Sequence, residues 1–218
     1  MDGERGDGSL RALYEATACA YAEWAGTEIG PATETAHDRA VLAGFADSVA
    51  GHPAGVVADV GCGPGRVAAF LEHRGQPVVA FDLSTEMVRI GQQAHPTVGF
   101  GVARLAELPV ADGSLAGVVS WYSIIHTPPH ELHGTFVELG RVLAPGGRVL
   151  VAFQSGHGQV VDRPEAHGTP YTLRSYRHAL ADVVEPLAHA GFTITASATR
   201  EPELAHESAS QSFVVGRC

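Results

Sequence analysis

The chain contains no lysine and no asparagine, and only three cysteines, two tryptophans and two methionines in 218 residues. Each scarcity closes off a class of function. Without lysine, all fourteen basic residues are arginines, and they are scattered through a chain of net charge −10. A nucleic-acid partner needs a basic stripe that neutralises phosphates; none is visible, so none is expected. Cys19, Cys62 and Cys218 are odd in number and far apart, which makes neither a disulfide framework nor a zinc cluster. No apolar run approaches the ~20 residues of a membrane helix, and Met1–Ser9 is polar without a hydrophobic signal core. These features predict a cytoplasmic protein that does not engage membranes. The missing asparagine, beside abundant Ala, Gly and Arg, reflects the codon bias of a GC-rich bacterial genome rather than a physical requirement. Repeats, low-complexity tracts and interdomain linkers are also absent. One domain spanning 1–218 is expected, with a 45 % hydrophobic composition that supports a substantial core.

The most informative stretch is Val57-Ala-Asp-Val-Gly-Cys-Gly-Pro-Gly65. An apolar run, Val56–Val60, ends in the carboxylate of Asp59 and three alternating glycines, and a second apolar run, Val78–Leu83, contains Asp82. This is the layout strand, tight turn, helix, strand, acid, which suits the ribose and adenine of a nucleoside cofactor. Glycines let the backbone turn sharply and lie against a ligand, and a carboxylate one strand later accepts from ribose hydroxyls. A dinucleotide fingerprint needs G-x-G-x-x-G with a helix N-terminus on the pyrophosphate. Here the third glycine comes one residue early and Arg66 fills the expected slot. A NAD-type oxidoreductase is therefore a weaker alternative. A plain glycine turn in some other α/β protein is the competing structural reading.

Around this centre, helical spacing of apolar residues predicts helices over Leu10–Trp24 and His37–Val49, broken at Gly30-Pro31. Strands are expected at Val56–Val60, Val78–Phe81, Val98–Val102, Ala116–Ser120 and Arg148–Phe153. Helices alternate with them at Gly65–His73, Thr85–Gln93 (with Ser84 as N-cap) and Pro129–Val142. A polar segment, Gln154–Thr172, interrupts the alternation. A helix over Leu173–Ala190 and strands at Phe192–Ala198 and Gln211–Val215 complete the pattern. Repeated βα units imply an α/β fold with a mostly parallel sheet covered on both faces.

Four motifs in order resemble the class I methyltransferases that use S-adenosylmethionine (SAM). They are the loop Val57–Gly65; Phe81-Asp82-Leu83-Ser84 with Met87; Glu107-Leu108-Pro109 followed by Asp112-Gly113-Ser114; and Arg141-Val142-Leu143-Ala144-Pro145-Gly146-Gly147-Arg148. The resemblance runs from about Asp38 to the C-terminus. It implies a Rossmann-like three-layer sandwich around a seven-stranded, mostly parallel sheet with a C-terminal antiparallel hairpin, an N-terminal helical cap over 1–50, and a substrate lid at 154–172. It also implies SAM as cofactor, S-adenosylhomocysteine (SAH) as product and a small molecule as methyl acceptor. Position by position, it puts Asp59 near the methionine end of SAM and brings Gly61 and Gly63 close to the ligand. Asp82 takes the ribose diol. Leu83, Met87, Leu105 and Ala106 border the adenine, and Ser120 offers its carbonyl near the sulfonium. Tyr14 and Tyr21 close over the cofactor. Two positions depart from the family pattern: Arg104 stands where an acid usually accepts from the adenine amine, and Ser114-Leu115-Ala116 replaces S-F-D. A SAM-binding protein without catalysis is the alternative from another class; a degenerate loop would favour it, and this loop is intact.

Methyl transfer from a sulfonium is an in-line displacement, for which an enzyme mainly aligns the nucleophile and excludes water. A base is needed only when the nucleophile must lose a proton. The loop after strand four, Ser120–Pro129, faces the methyl group in this fold. His126 is the candidate base because imidazole titrates near neutrality; the competing reading is a histidine that orients the loop. Tyr122 is the second candidate, with Trp121 as a pocket wall, against ordinary core aromatics. His126, His130 and His133 have metal-like i, i+4, i+7 spacing, but Pro128-Pro129 breaks the helix between them, so no metal site is expected. His157, His167 and Tyr171 lie in the lid segment.

Overall fold

The computed structural model describes residues 2–166 and 169–218, with side chains from residue 8 onward. His167 lies outside the described residues. Two helices, α1 (Asp2–Ala25) and α2 (Ala36–Val49), precede an alternation of β1 (Val57–Val60), α3 (Arg66–His73), β2 (Val78–Asp82), α4 (Thr85–Ala94), β3 (Gly99–Val102) and β4 (Leu115–Trp121). Then come α5 (Leu132–Val142), β5 (Leu143–Ser155), β6 (Gln159–Arg163), β7 (Leu173–Arg177), α6 (Leu180–His189), β8 (Thr193–Arg200) and β9 (Ser210–Arg217). The main sheet has the order β3-β2-β1-β4-β5-β9-β8. β1 to β5 run parallel, while β9 is antiparallel to both β5 and β8. The expected Rossmann-like α/β architecture with an antiparallel C-terminal pair is therefore present.

The central strands are buried on both faces, which is why β1 and β4 read as mostly apolar runs, with Asp59 and Ser120 as their polar side chains. Alternate residues feed two cores. Val57, Val119 and Leu150 pack with Leu42, Phe45 and Leu71 from α2 and α3. Ala58, Val118 and Val151 pack with Leu132, Phe136 and Leu187 from α5 and α6. Local sequence sets the helix starts. Thr35 and Asp38 form a capping box on α2, and the Ser84 hydroxyl accepts from the Met87 N–H at the start of α4.

Three expectations are corrected. The segment Gln154–Thr172 is not simply irregular: β5 runs on to Ser155, and β6 pairs antiparallel with β7 in a separate two-stranded sheet. The helix expected over Leu173–Ala190 begins only at Leu180, because Leu173–Arg177 is drawn into that pairing. Similarly, the helix expected from Pro129 opens as two 3-10 turns, Ile124–His126 and Pro129–Glu131, before α5 starts at Leu132. A small third cluster joins Leu13 of α1 to Ala166 and Leu173, with Leu10 and Tyr14 beside it.

Candidate active site

The three loop glycines all have positive φ (71°, 52° and 90° at Gly61, Gly63 and Gly65), but their surroundings differ. A Cβ at Gly61 would lie 2.2 Å from Ser123 Cβ, so that space belongs to the loop after β4. A Cβ at Gly65 would meet the Phe100 ring at 2.7 Å. At Gly63 the nearest atom is a Tyr21 ring carbon at 3.7 Å, which leaves this backbone open to a ligand. The loop is tied to β2 by backbone: Gly61 and Cys62 N–H both donate to the Phe81 carbonyl, at 2.7 and 3.0 Å. Gly63 N–H donates to Asp82 Oδ2 at 2.8 Å, and Ser84 N–H donates to Oδ1 at 2.9 Å. Asp82 thus sits between the glycine loop and the start of α4. Burial pushes its carboxyl up from the ordinary range, while these backbone donors oppose the shift.

Asp59 is 1 % exposed. Its Oδ2 accepts from Ala68 N–H at 3.0 Å, whereas Oδ1 is buried without a partner. Burial, reinforced by the neighbouring Asp82 charge, pushes its pKa up to about 7 against the Ala68 donor. An orphaned acceptor and an open glycine backbone, with a carboxylate at the next strand end, fit a ligand that brings its own donors, as the amine and ribose hydroxyls of SAM do.

Beyond Asp82, Leu83 joins Val102, Arg104, Leu108, Pro109 and Arg11 in lining a cleft of ≈ 530 Å³. Met87 is buried beneath the start of α4, Leu105 packs partly against the core, and Ala106 is exposed; none of the three lines this cleft. The loop forming its floor is held by a residue that sequence reasoning treated only as part of a motif. Arg141 donates to the carbonyls of Val110 (2.9 Å) and Leu108 (3.1 Å) and pairs with Glu138 and Asp112. Glu138 in turn accepts from Leu108 N–H at 2.7 Å. The i, i+3 Glu-Arg spacing ahead of Pro-Gly-Gly was the available signal.

On the other side, Ser120 is fully buried and its hydroxyl lies 2.6 Å from that of Ser123, which donates to the Val60 carbonyl at 2.8 Å. Tyr122 has φ 58°, the only positive value at a non-glycine among the described residues, and its N–H donates to the Ala152 carbonyl at 2.9 Å. Such strain clusters at functional sites. Burial pushes the Tyr122 hydroxyl's pKa up, so it stays protonated. His126 meets Tyr14: its Nε2 is 2.8 Å from the Tyr14 hydroxyl, and its Nδ1 is 2.9 Å from the Arg174 carbonyl on β7. Burial brings the His126 pKa down to about 4 and pushes the Tyr14 phenol up. Tyr21 stands edge-on to Tyr14, with ring centroids 6.2 Å apart, and hydrogen-bonds Arg66, which pairs with the buried Glu34.

Further residues around this side gave no sequence signal, because their partners are distant in the chain. Arg200 at the end of β8 makes a two-pronged contact with Asp38 (2.9 and 2.7 Å), 162 residues away, and also holds Glu207. The guanidinium and backbone donors keep the Glu207 carboxyl down at about 2 despite its burial. His178, fully buried, lies 3.2 Å from the Ile124 carbonyl and so fastens the turn that carries His126.

With this geometry in hand, relatives are informative. Residues 57–147 match the family model described as a methyltransferase domain. This stretch, which holds the glycine loop and Asp82, is therefore similar to a methyltransferase domain. The chain is 34 % identical to methyltransferase GfsG of Streptomyces halstedii over 61 % of this chain and 50 % of that one. It is 31 % identical to a malonyl-[acyl-carrier protein] O-methyltransferase of Pseudescherichia vulneris over 58 % of this chain and 48 % of the relative. It therefore spans about half the length of these curated relatives. In fold it is similar to magnesium protoporphyrin IX methyltransferase of Synechocystis, solved with bound SAM, at a TM-score of 0.72 and 19 % identity, covering 97 % of this chain and 96 % of the other. No described helix is long and apolar enough to cross a membrane.

Proposed function

We propose that this protein transfers a methyl group from SAM to a small molecule. The observation that carries the reading is the family's glycine loop closing onto Asp82, with open backbone at Gly63 and the unpartnered Asp59 Oδ1 beside it. SAM, when bound, supplies a methyl carbon already activated by positive sulfur. The residues hold and screen it. Asp82 accepts from the ribose hydroxyls, Asp59 serves the methionine end, and Leu83 borders the adenine with Met87, Leu105 and Ala106 shaping the wall behind. Gly61 keeps the loop after β4 against the cofactor loop, and Ser120 anchors that loop through Ser123. Tyr14 and Tyr21 of the helical cap over residues 1–50, with the hairpin segment 154–172 as a lid, exclude water from the transfer. His126 and Tyr122 face the acceptor, and their protonation favours neutral groups that position rather than titrate. The relatives' printed names cover both O- and C-methyl transfer, and O-methylation of a small acceptor is the reading the polar acceptor wall supports.

The three cysteines are unpaired, which agrees with a reducing cytoplasm as the place of action. Calorimetric titration with SAM, SAH and NAD tests the reading. The two adenosyl ligands should bind and NAD should not; tight NAD binding with no SAM response would overturn it.

A further inference from the structure

His126 stands where α1, β7 and the loop after β4 meet, and neither of its nitrogens is free. A carbonyl only accepts, so the Nδ1 facing Arg174 carries the proton. Nε2 is then the bare nitrogen, and it accepts the Tyr14 hydroxyl. To take a proton from an acceptor hydroxyl, His126 would have to release Tyr14 and become charged in a setting that favours the neutral ring. Tyr14 is held protonated and is no base either. The nearby carboxylates are engaged elsewhere: Asp82 on backbone donors, Glu34 on Arg66.

The charge at this spot adds a second, independent observation. In the hairpin, Arg163 is the direct cross-strand partner of Leu173, and such partners project from the same face. Leu173 faces Leu13 and Tyr14, so Arg163 also rises from the α1 side of the hairpin. Its neighbour Asp162 projects from the opposite face, where Arg174 grips it at 2.8 Å through both Nε and Nη2. No described carboxylate pairs with Arg163. Its charge is felt at both Tyr14 and His126. Among the described residues, the acceptor side thus presents one exposed cation without a carboxylate partner, Arg163, and two neutral polar groups, and a sulfonium adds a second positive charge.

We infer that the acceptor is a carboxylic acid, bound as its carboxylate against Arg163 beside the Tyr14–His126 pair and methylated on oxygen without a general base. The inference rests on the methyl-transfer reading above. In the step, a carboxylate oxygen forms a bond to the methyl carbon while the carbon–sulfur bond breaks and its electron pair returns to sulfur. A methyl ester and a neutral thioether result, and no proton moves. An anionic acceptor also relieves the repulsion between Arg163 and the sulfonium.

The test uses octanoate, benzoate and succinate against matched alcohols and amines (1-octanol, benzyl alcohol, butane-1,4-diol and the corresponding amines). Binding to the SAH-loaded protein is followed by calorimetry, and transfer from methyl-labelled SAM by the volatile methanol that alkali releases from esters. Carboxylates should bind and be esterified in preference to their matched alcohols and amines. Arg163→Gln should weaken carboxylate binding about tenfold to a hundredfold, the scale of one charge-assisted contact, and Arg163→Lys should recover part of it. SAM affinity should not fall in either. The rate should hold steady below neutrality until the acid itself protonates, near pH ~4–5. A preference for the alcohols or amines, carboxylate binding indifferent to Arg163, or no carboxylate binding to a protein that does bind SAM overturns the inference while methyl transfer stands. Failure to bind SAM at all defeats the methyl-transfer reading itself.

Discussion

At the Asp82 end of the site, carboxylates are held by backbone N–H groups; at the Arg200 end, they are held by a guanidinium. Asp82 takes Gly63 and Ser84, and Asp59 takes Ala68. Asp38 and Glu207 share Arg200, which is 162 residues from Asp38, and Tyr14 reaches His126 across 112 residues. The half proposed for the cofactor is therefore a local construction: one short stretch of sequence carries the strand, the turn and the donors. The acceptor half is assembled from α1, α2, the β6–β7 hairpin and the β8–β9 connection. The first has backbone geometry as its precision element, and the second has paired side chains. Substitutions should separate the two.

The largest effect is expected at Gly61. Replacing it with valine puts a side chain into Ser123 and imposes φ 71° on a β-branched residue. SAM binding should be lost and the melting temperature should fall sharply; a variant that still binds SAM normally would show that the two loops are free to part.

Next comes Arg200→Met, which strands two buried carboxylates. Breaking such a buried pair costs about 3–5 kcal/mol, readable by urea unfolding. The comparison sharpens if Arg200→Met combined with Asp38→Leu and Glu207→Leu recovers most of that loss, because removing every charge removes the stranded ones as well. A single variant as stable as the parent would mean that water already serves the acids.

Asp82→Ala acts on the cofactor half alone. Charge-assisted hydrogen bonds to ribose are worth about 1.5–3 kcal/mol, so SAM affinity should drop about tenfold to a hundredfold in a folded protein. Unchanged affinity would place the ribose elsewhere.

Asp59→Asn acts on the pH profile of stability rather than on binding. The native carboxyl has its pKa raised to about 7 from an ordinary carboxylate value. Between those two values the folded state holds more protons than the unfolded one, so the stability Asp59 contributes is full at low pH and is lost as pH rises to about 7. The parent should lose stability across that window, and Asp59→Asn should flatten that part of the profile. Identical profiles would mean that Asp59 titrates normally.

The same division decides what the sequence reveals. β1, β2, β4 and β5 are legible because buried parallel strands are mostly apolar, and the glycine loop and Asp82 are legible because their bonds are local. The stretch Leu173–Arg177 reads as the start of a helix because Leu173 and Tyr176 recur at helical spacing toward the helix that follows. Its pairing with Gln159–Arg163 is a tertiary choice that propensity does not contain. His126 is visible as a histidine in the right loop, but its neutrality comes from burial, and its partners, Tyr14 and the Arg174 carbonyl, are brought to it only by the fold. The roles of Arg200 and Arg141 depend likewise on partners that spacing does not announce, apart from Glu138.

α1 places Tyr14 and Glu15 side by side in sequence but in opposite halves of the site. Tyr14 holds His126, while the Glu15 carboxylate accepts from the backbone N–H groups of Thr85 and Glu86, at 2.7 and 3.1 Å, at the head of the helix that follows Asp82. One helix therefore touches both of the sites proposed for cofactor and acceptor. Anything that shifts α1 on binding cofactor alters the welcome for the acceptor, and thermodynamic linkage requires the acceptor to change cofactor affinity by the same factor.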